Sequence, residues 1–324
     1  DQFFNGTLPD TGANTVGHIA GAVGLKVPTL DALGLGAAVK LASGMAAAGL
    51  DAVPTGAWGA ATEISRGKDT PSGHWELAGV PVPWEWHTFP DTDPAFPPEL
   101  TAQICAAAGT DGILGNRHAS GTVVIEQEGE AHVKTGWPIC YTSADSVLQI
   151  AAHEEAFGLE RLLKLCKDIA PILHDMKVGR VIARPFTGEV GDFKRTAHRK
   201  DFAIETPAPT ICDYVHDAGR TVYAVGKIGD IFSMRGIDDL RKGPDADLMG
   251  HIHDLVDEAA DGSFVFANLV EFDSEYGHRR DPAGYAGHLE WFDAELAALL
   301  PKMRSGDLLI VSADHGNDPT WSGT

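Results

Sequence analysis

Basic residues are scarce in this chain: 25 lysines and arginines stand against 46 aspartates and glutamates, a formal charge of -21. A surface of that sign repels nucleic acid and anionic membranes, which argues against a polyanionic partner. Cysteine is scarcer still. Cys105, Cys140, Cys166 and Cys212 are the whole supply and no two form a CxxC pair, so neither a zinc knuckle nor a disulfide scaffold is expected. Reduced, buried thiols in a cytoplasmic protein fit that pattern. The sequence also lacks an apolar run long enough to span a bilayer, a basic segment followed by an apolar one at its start, internal repeats and low-complexity tracts. A soluble chain is expected, and 44% hydrophobic residues over 324 positions suffice for the cores of about two domains.

The last third alternates strand and helix. "RTVYAVGKI", "SFVFANLVEF" and "DLLIVSA" read as buried strands, "DADLMGHIHDLVDEAADG" and "AGYAGHLEWFDAELAALL" as helices. Apolar runs separated by helices predict an α/β fold whose mostly parallel sheet is covered on both faces. The middle has another texture. After the proline-rich "HTFPDTDPAFPPEL", the stretch "TVVIEQEGEAHVKTG" has the pattern of a strand pair, and a long helix is expected from about Asp145 to Ile169. Residues 91–205 therefore read as a smaller α+β domain inserted between core parts 1–90 and 206–324.

Chemistry-bearing residues cluster in three places. "GKDTPSGHWELAG" crowds polar groups around a Thr-Pro step, where Thr70 reads as a helix N-cap and Pro71 as the first helical residue. His74 lies close to Thr70 without an assigned role. The strand "SFVFANLVEF" runs into Asp273 and His278, and "DLLIVSA" runs into Asp314 and His315. Ligands gather at the carboxyl ends of parallel strands. An aspartate and a histidine at two such ends suit a divalent first-row ion, since carboxylate oxygen and imidazole nitrogen are its ligands.

"VEFDSEYGHRRD" and "SADHGNDPTW" resemble the metal-binding motifs of the alkaline phosphatase superfamily. "GKDTPSGHWE", "YTSADSVLQIAAHEE", "VGRVIARPF" and "NLVEFDSEYGHRRD" resemble those of bacterial phosphopentomutases, in the same order and over nearly the whole chain. The resemblance implies an alkaline-phosphatase-like core with an inserted cap domain. By the same resemblance Thr70 is the phosphorylated nucleophile, and Asp1, Asp273, His278, Asp314 and His315 are ligands of a two-manganese centre. Ser143, Asp145, Arg180, Arg195 and Lys227 match positions that hold the sugar phosphate. The implied activity interconverts the 1- and 5-phosphates of ribose or deoxyribose, with a sugar bisphosphate such as glucose 1,6-bisphosphate or ribose 1,5-bisphosphate as activator.

The residue types suit that chemistry. Two metal ions clamp the attacking and leaving oxygens of a phosphoryl displacement, a helix N-terminus stabilises the phosphate gained, and arginine forks grip the phosphate that stays. Rival expectations are another two-metal phosphotransferase or phosphohydrolase of the superfamily, and a catalytically silent sugar-phosphate binder. After Thr70 the family has a non-proline residue and a threonine, where this chain has Pro71 and Ser72. The family's further histidine ligand falls beyond Thr324, so the chain reads as a fragment expected to be poorly folded and inactive by itself.

Overall fold

The computed structural model describes residues 4–5, 8–9, 12–65 and 70–321. The chain packs as two compact units, Asp1–Val82 with Pro207–Thr324, and Pro83–Thr206. The first unit opens with the short strands β1 (Phe4–Asn5) and β2 (Leu8–Pro9), paired antiparallel, then α1 (Thr15–Val23), α2 (Pro28–Leu33), α3 (Leu35–Ser43) and α4 (Thr70–Leu77). The second unit runs α5 (Pro98–Ala108), β3 (Leu114–His118), α6 (Gly121–Thr135), β4 (Ile139–Thr142), β5 (Val147–His153), α7 (Leu159–Asp175), β6 (Arg180–Thr187), β7 (Lys194–Arg195) and β8 (Lys200–Ala203). The chain then returns to the first unit with α8 (Ile211–Asp217), β9 (Val222–Val225), α9 (Ile228–Ile231), β10 (Asp239–Arg241), α10 (Asp245–Glu258), β11 (Phe264–Ala267) and α11 (Pro282–Leu299).

In the first unit β9 lies between β10 and β11, all parallel. Successive side chains of β11 point to opposite faces. Val265 and Ala267 meet Leu248 and Leu255 of α10, while the rings of Phe264 and Phe266 tilt against each other and Phe266 meets Phe232 and His74 on the other side. A second core gathers α1, α2 and α11 around Ile19, Leu30, Leu296 and Leu299. Asp293 of α11 accepts the backbone N–H of Leu30 at 2.6 Å and of Thr29 at 3.2 Å, so a buried carboxylate satisfies the free donors of α2.

The second unit holds a mixed sheet in the order β3-β4-β5-β6, with β7 and β8 both pairing β6. Ile169, Leu165 and Leu162 of α7 pack on Leu148 and Ile150 of β5 in its core. Two expectations fail here. "TVVIEQEGEAHVKTG" is the helix α6, whose buried Val124, Ile125, Gly129 and His132 follow a helical period that an alternating reading misses. Residues 147–153 form a fully buried central strand followed by a π-helical turn, Glu154–Gly158, and the helix begins only at Leu159. Pairing with β4 and β6 on both edges overrides local helix propensity in that stretch.

A third correction concerns "DLLIVSA". Among the described residues it pairs with no strand, and Leu308 and Ile310 are 82% and 76% exposed. Leu309 alone turns inward, against the helical core. An apolar run becomes a strand only through a ladder partner for its N–H and C=O groups, and 307–313 has none here.

Candidate active site

Thr70 is the first helical residue of α4 and Pro71 the second, one step from the expected arrangement. The first four N–H groups of a helix have no acceptor within it, so proline costs nothing at either place. The fully buried Trp75 fixes the helix by donating its indole N–H to the Ile231 carbonyl at 3.1 Å. Glu76 ties it to the preceding segment, accepting the N–H of Ile64 and of Ser65, each at 2.8 Å. Gly73 faces Asp314 so closely that an added Cβ would lie 2.7 Å from the Asp314 carbonyl carbon and nearer still to its oxygen. The helix that presents Thr70 thus rests directly on the backbone of Asp314.

Asp273 sits in a π-helical turn, Phe272–Gly277, six residues past the end of β11 and not at the strand end that the sequence suggested. Such turns widen the helix and recur at functional sites. Its carboxylate meets His278 Nε2 at 3.1 Å and accepts the amide of Asn317 at 2.5 Å. Burial raises the Asp273 carboxyl, but these two hydrogen bonds outweigh it and hold the group below its ordinary value. Asp314 lies 3.2 Å from His74 Nδ1 and 3.6 Å from His315 Nε2. Burial raises this carboxyl too, and the hydrogen bond from His74, with His315 nearby, brings it down to about 2. Both carboxylates are ionised at neutral pH, as metal ligands must be. His315 also lowers Asp273, which brings the two Asp-His pairs within one electrostatic neighbourhood. Asp1 lies outside the described residues.

Sequence reasoning passed over the clip that shapes this strand end. Asp245, 2% exposed at the start of α10, accepts the N–H of Val270 at 3.0 Å and of Glu271 at 3.2 Å, and His288 Nε2 lies 2.9 Å from it. Glu271 returns the bond by accepting the Asp245 N–H. His288 stacks on Trp291 and leans on Phe272. Among the described residues, Asp245, Glu271 and His288 are the one group whose ligand atoms lie close enough together to hold an ion. Their hydrogen bonds already account for them as a clip that fixes the route from β11 to Asp273. Among the described residues, the predicted ligands stand as two pairs, Asp273 with His278 and Asp314 with His315.

Lys227 lies two residues past β9 and donates its backbone N–H to Asn268 Oδ1 at 2.7 Å. The remaining phosphate-site residues belong to the second unit. Ser143 and Asp145 lie in the turn between β4 and β5, and Asp145 is 3.9 Å from Arg180 at the start of β6. Arg195 pairs opposite Phe186, at the far end of the same strand, on the order of 20 Å away. There it lines a cavity of about 270 Å³ with Arg184, Pro185, Thr196 and Arg199. Burial, then the nearby Arg199, lowers the Arg184 guanidinium. The buried Tyr141 hydroxyl, without a hydrogen-bond partner, feels all three arginines. Arg180 and Arg184 share a face of β6, the four-residue spacing in "RVIARPF" being the signal that could have found Arg184.

No described helix is long and apolar enough to cross a membrane, and all four cysteines are free thiols. The model of the metalloenzyme superfamily matches residues 8–324. The whole chain is 52% identical to a phosphopentomutase of Chelativorans sp. (strain BNC1), covering 84% of that protein, and 52% identical to one of Sinorhizobium fredii, covering 86%. The phosphopentomutase of Rhizobium meliloti is 50% identical, again over the whole chain and 86% of the relative. On these matches the chain belongs to the phosphopentomutase family, metal-binding isomerases of the metalloenzyme superfamily.

Proposed function

We propose that the protein interconverts the 1-phosphate and 5-phosphate of ribose and deoxyribose through a phosphothreonine at Thr70 and a sugar bisphosphate. The observation that carries this reading is the seating of α4, with Thr70 at its N-terminus, on the backbone of Asp314. Two divalent ions, in our reading Mn2+, would supply positive charge that acidifies the Thr70 hydroxyl and offsets the charge of the phosphoryl oxygens. Their ligands would be Asp1, Asp273, His278, Asp314 and His315, a set supported by the two ionised carboxylates and their imidazole partners.

Phosphorylated Thr70 gives its phosphoryl group to the free hydroxyl of the sugar monophosphate, breaking one P–O bond and forming another. The bisphosphate returns its other phosphoryl group to Thr70, which leaves the isomer. The N-terminal N–H groups of α4 stabilise the phosphate while it resides on the threonine. A sugar bisphosphate such as glucose 1,6-bisphosphate or ribose 1,5-bisphosphate primes the enzyme. The second unit acts as the cap domain, and its cavity of three arginines, with Arg195, recognises the phosphate that is not moving, since guanidinium forks match phosphate oxygens. Ser143, Asp145 and Arg180, at the opposite end of β6 and on the order of 20 Å from that cavity, are too far from it to hold the same phosphate, and Lys227 adds a positive charge after β9.

Labelled glucose 1,6-bisphosphate with Mn2+ should place phosphate on Thr70, and ribose 1-phosphate should then isomerise. Thr70→Ala should abolish both while melting as the wild type does. Turnover above about 1% of wild type in Thr70→Ala would overturn the nucleophile assignment, because losing an attacking group costs several orders of magnitude.

A further inference from the structure

We infer that His74 is a positioning residue: through a hydrogen-bond chain from Lys227 and Asn268 it pins the carboxylate of Asp314 to the helix that carries Thr70. The inference rests on the reading of Asp314 as a metal ligand.

The chain of bonds fixes the tautomer of the ring. A backbone N–H only donates, so the Asn268 side-chain atom that meets Lys227 N at 2.7 Å is its carbonyl oxygen. The amide nitrogen of Asn268 therefore faces His74 Nε2, at 3.2 Å. That nitrogen brings only hydrogens, so Nε2 must offer its lone pair and the ring proton stands on Nδ1. Nδ1 lies 2.9 Å from the Thr70 carbonyl and 3.2 Å from Asp314 Oδ2. One N–H thus forks between the main chain of the proposed nucleophile and the carboxylate of a proposed ligand.

Packing keeps the ring in place. His74 is 4% exposed and tilts against Phe266. A half-turn about its Cβ–Cγ bond would point carbon at Asp314 and break the ring's bonds to both Asn268 and Asp314. The neighbouring Gly73 lets the helix approach closely enough for the bond to form. The low pKa of Asp314, to which this hydrogen bond contributes, agrees with the arrangement. A carboxylate held by one oxygen has its remaining lone pairs aimed in a set direction, which a ligand needs and a freely rotating carboxylate lacks. Outer partners of this kind are typically worth about 10- to 100-fold in metal affinity.

The test is Mn2+ binding by the purified protein without substrate, followed through the free-ion electron paramagnetic resonance signal, with a melting curve for every variant. In asparagine the side-chain N–H2 falls near the place of His Nδ1, whereas in glutamine it falls near Nε2. His74→Asn should keep Mn2+ affinity within about threefold of wild type, and His74→Ala and His74→Gln should weaken it by about tenfold or more. Wild-type affinity in His74→Ala overturns the inference, as does an equal loss in His74→Asn and His74→Ala, which would make the ring a packing element only. If His74→Ala does not melt cooperatively, Asn268→Leu decides: freeing the ring should cost at least about threefold, and unchanged affinity overturns the proposal. Asp314→Asn separates the two readings. If it loses an ion while His74→Ala does not, only the role of His74 fails; if it binds Mn2+ as wild type does, the ligand assignment fails and the inference with it.

Discussion

Replacing Gly73 by alanine adds one methyl group at the contact between the Thr70 helix and Asp314. The new Cβ would stand 2.7 Å from the Asp314 carbonyl carbon and 3.1 Å from its Cβ, against about 3.5 Å for carbon atoms at rest. Backbone cannot swing aside as a side chain does, so helix and loop must part by about 1 Å. Alanine in a helix gains up to about 1 kcal/mol over glycine, and overpacking costs about 1 to 3 kcal/mol, so the two largely offset each other in stability. Geometry has no such compensation. A 1 Å displacement of a reacting group costs on the order of 100-fold in rate, which is about 2.7 kcal/mol in the barrier. Gly73→Ala should therefore lower kcat/KM for ribose 1-phosphate isomerisation about 100-fold while its melting temperature moves by only a few degrees. Gly250 on α10 has nothing within 4 Å of an added Cβ, so Gly250→Ala is the control, at full activity and up to about 1 kcal/mol more stable. Gly73→Ala turning over within threefold of wild type would refute the claim that this contact positions Thr70.

His132 is buried and His174 half-buried, and burial lowers both below the ordinary imidazole value. The unfolded state then binds more protons as pH falls, so stability should drop below about pH 6.5 by up to about 1.4 kcal/mol per pH unit for each histidine. Thermal melts from pH 7.5 to 5.5 read this directly, and a flat profile would contradict it. Asp245→Ala orphans the N–H groups of Val270 and Glu271, for which about 2 to 4 kcal/mol should be lost in urea unfolding; an unchanged midpoint would remove Asp245 from the account. Arg184→Met deletes one guanidinium from the cavity with Arg195 and Arg199, so KM for phosphorylated sugar should rise about 10- to 100-fold with kcat less affected. An unaltered KM would take phosphate recognition away from this cavity.

Elements whose signal is local were readable in advance. β9, α10 and α11 lie where apolar runs and helical periods put them, since each buries a pattern written into its own residues, whereas the expected buried strand at 263–272 shrinks to β11, four residues that are only half-buried. Elements decided by neighbours were not. Residues 147–153 carry helix-compatible residues yet form a central strand because β4 and β6 bond both edges, and 307–313 carry a strand-like run yet pair with nothing described.

The site divides along the same line. Sequence by itself determined which residue types stand after which elements: Thr70 at a helix start, Asp273 and His278 after β11, and Asp314 with His315 after an apolar run. Only the tertiary structure decided that Gly73 touches Asp314, that His74 binds it through a chain begun at Lys227, and that Arg195 joins Arg184 and Arg199 at the far end of β6 from Arg180. Periodicity and capping act over a few residues and are visible along the chain, whereas a hydrogen bond between residues 74 and 314 exists only once packing has brought two distant backbones together.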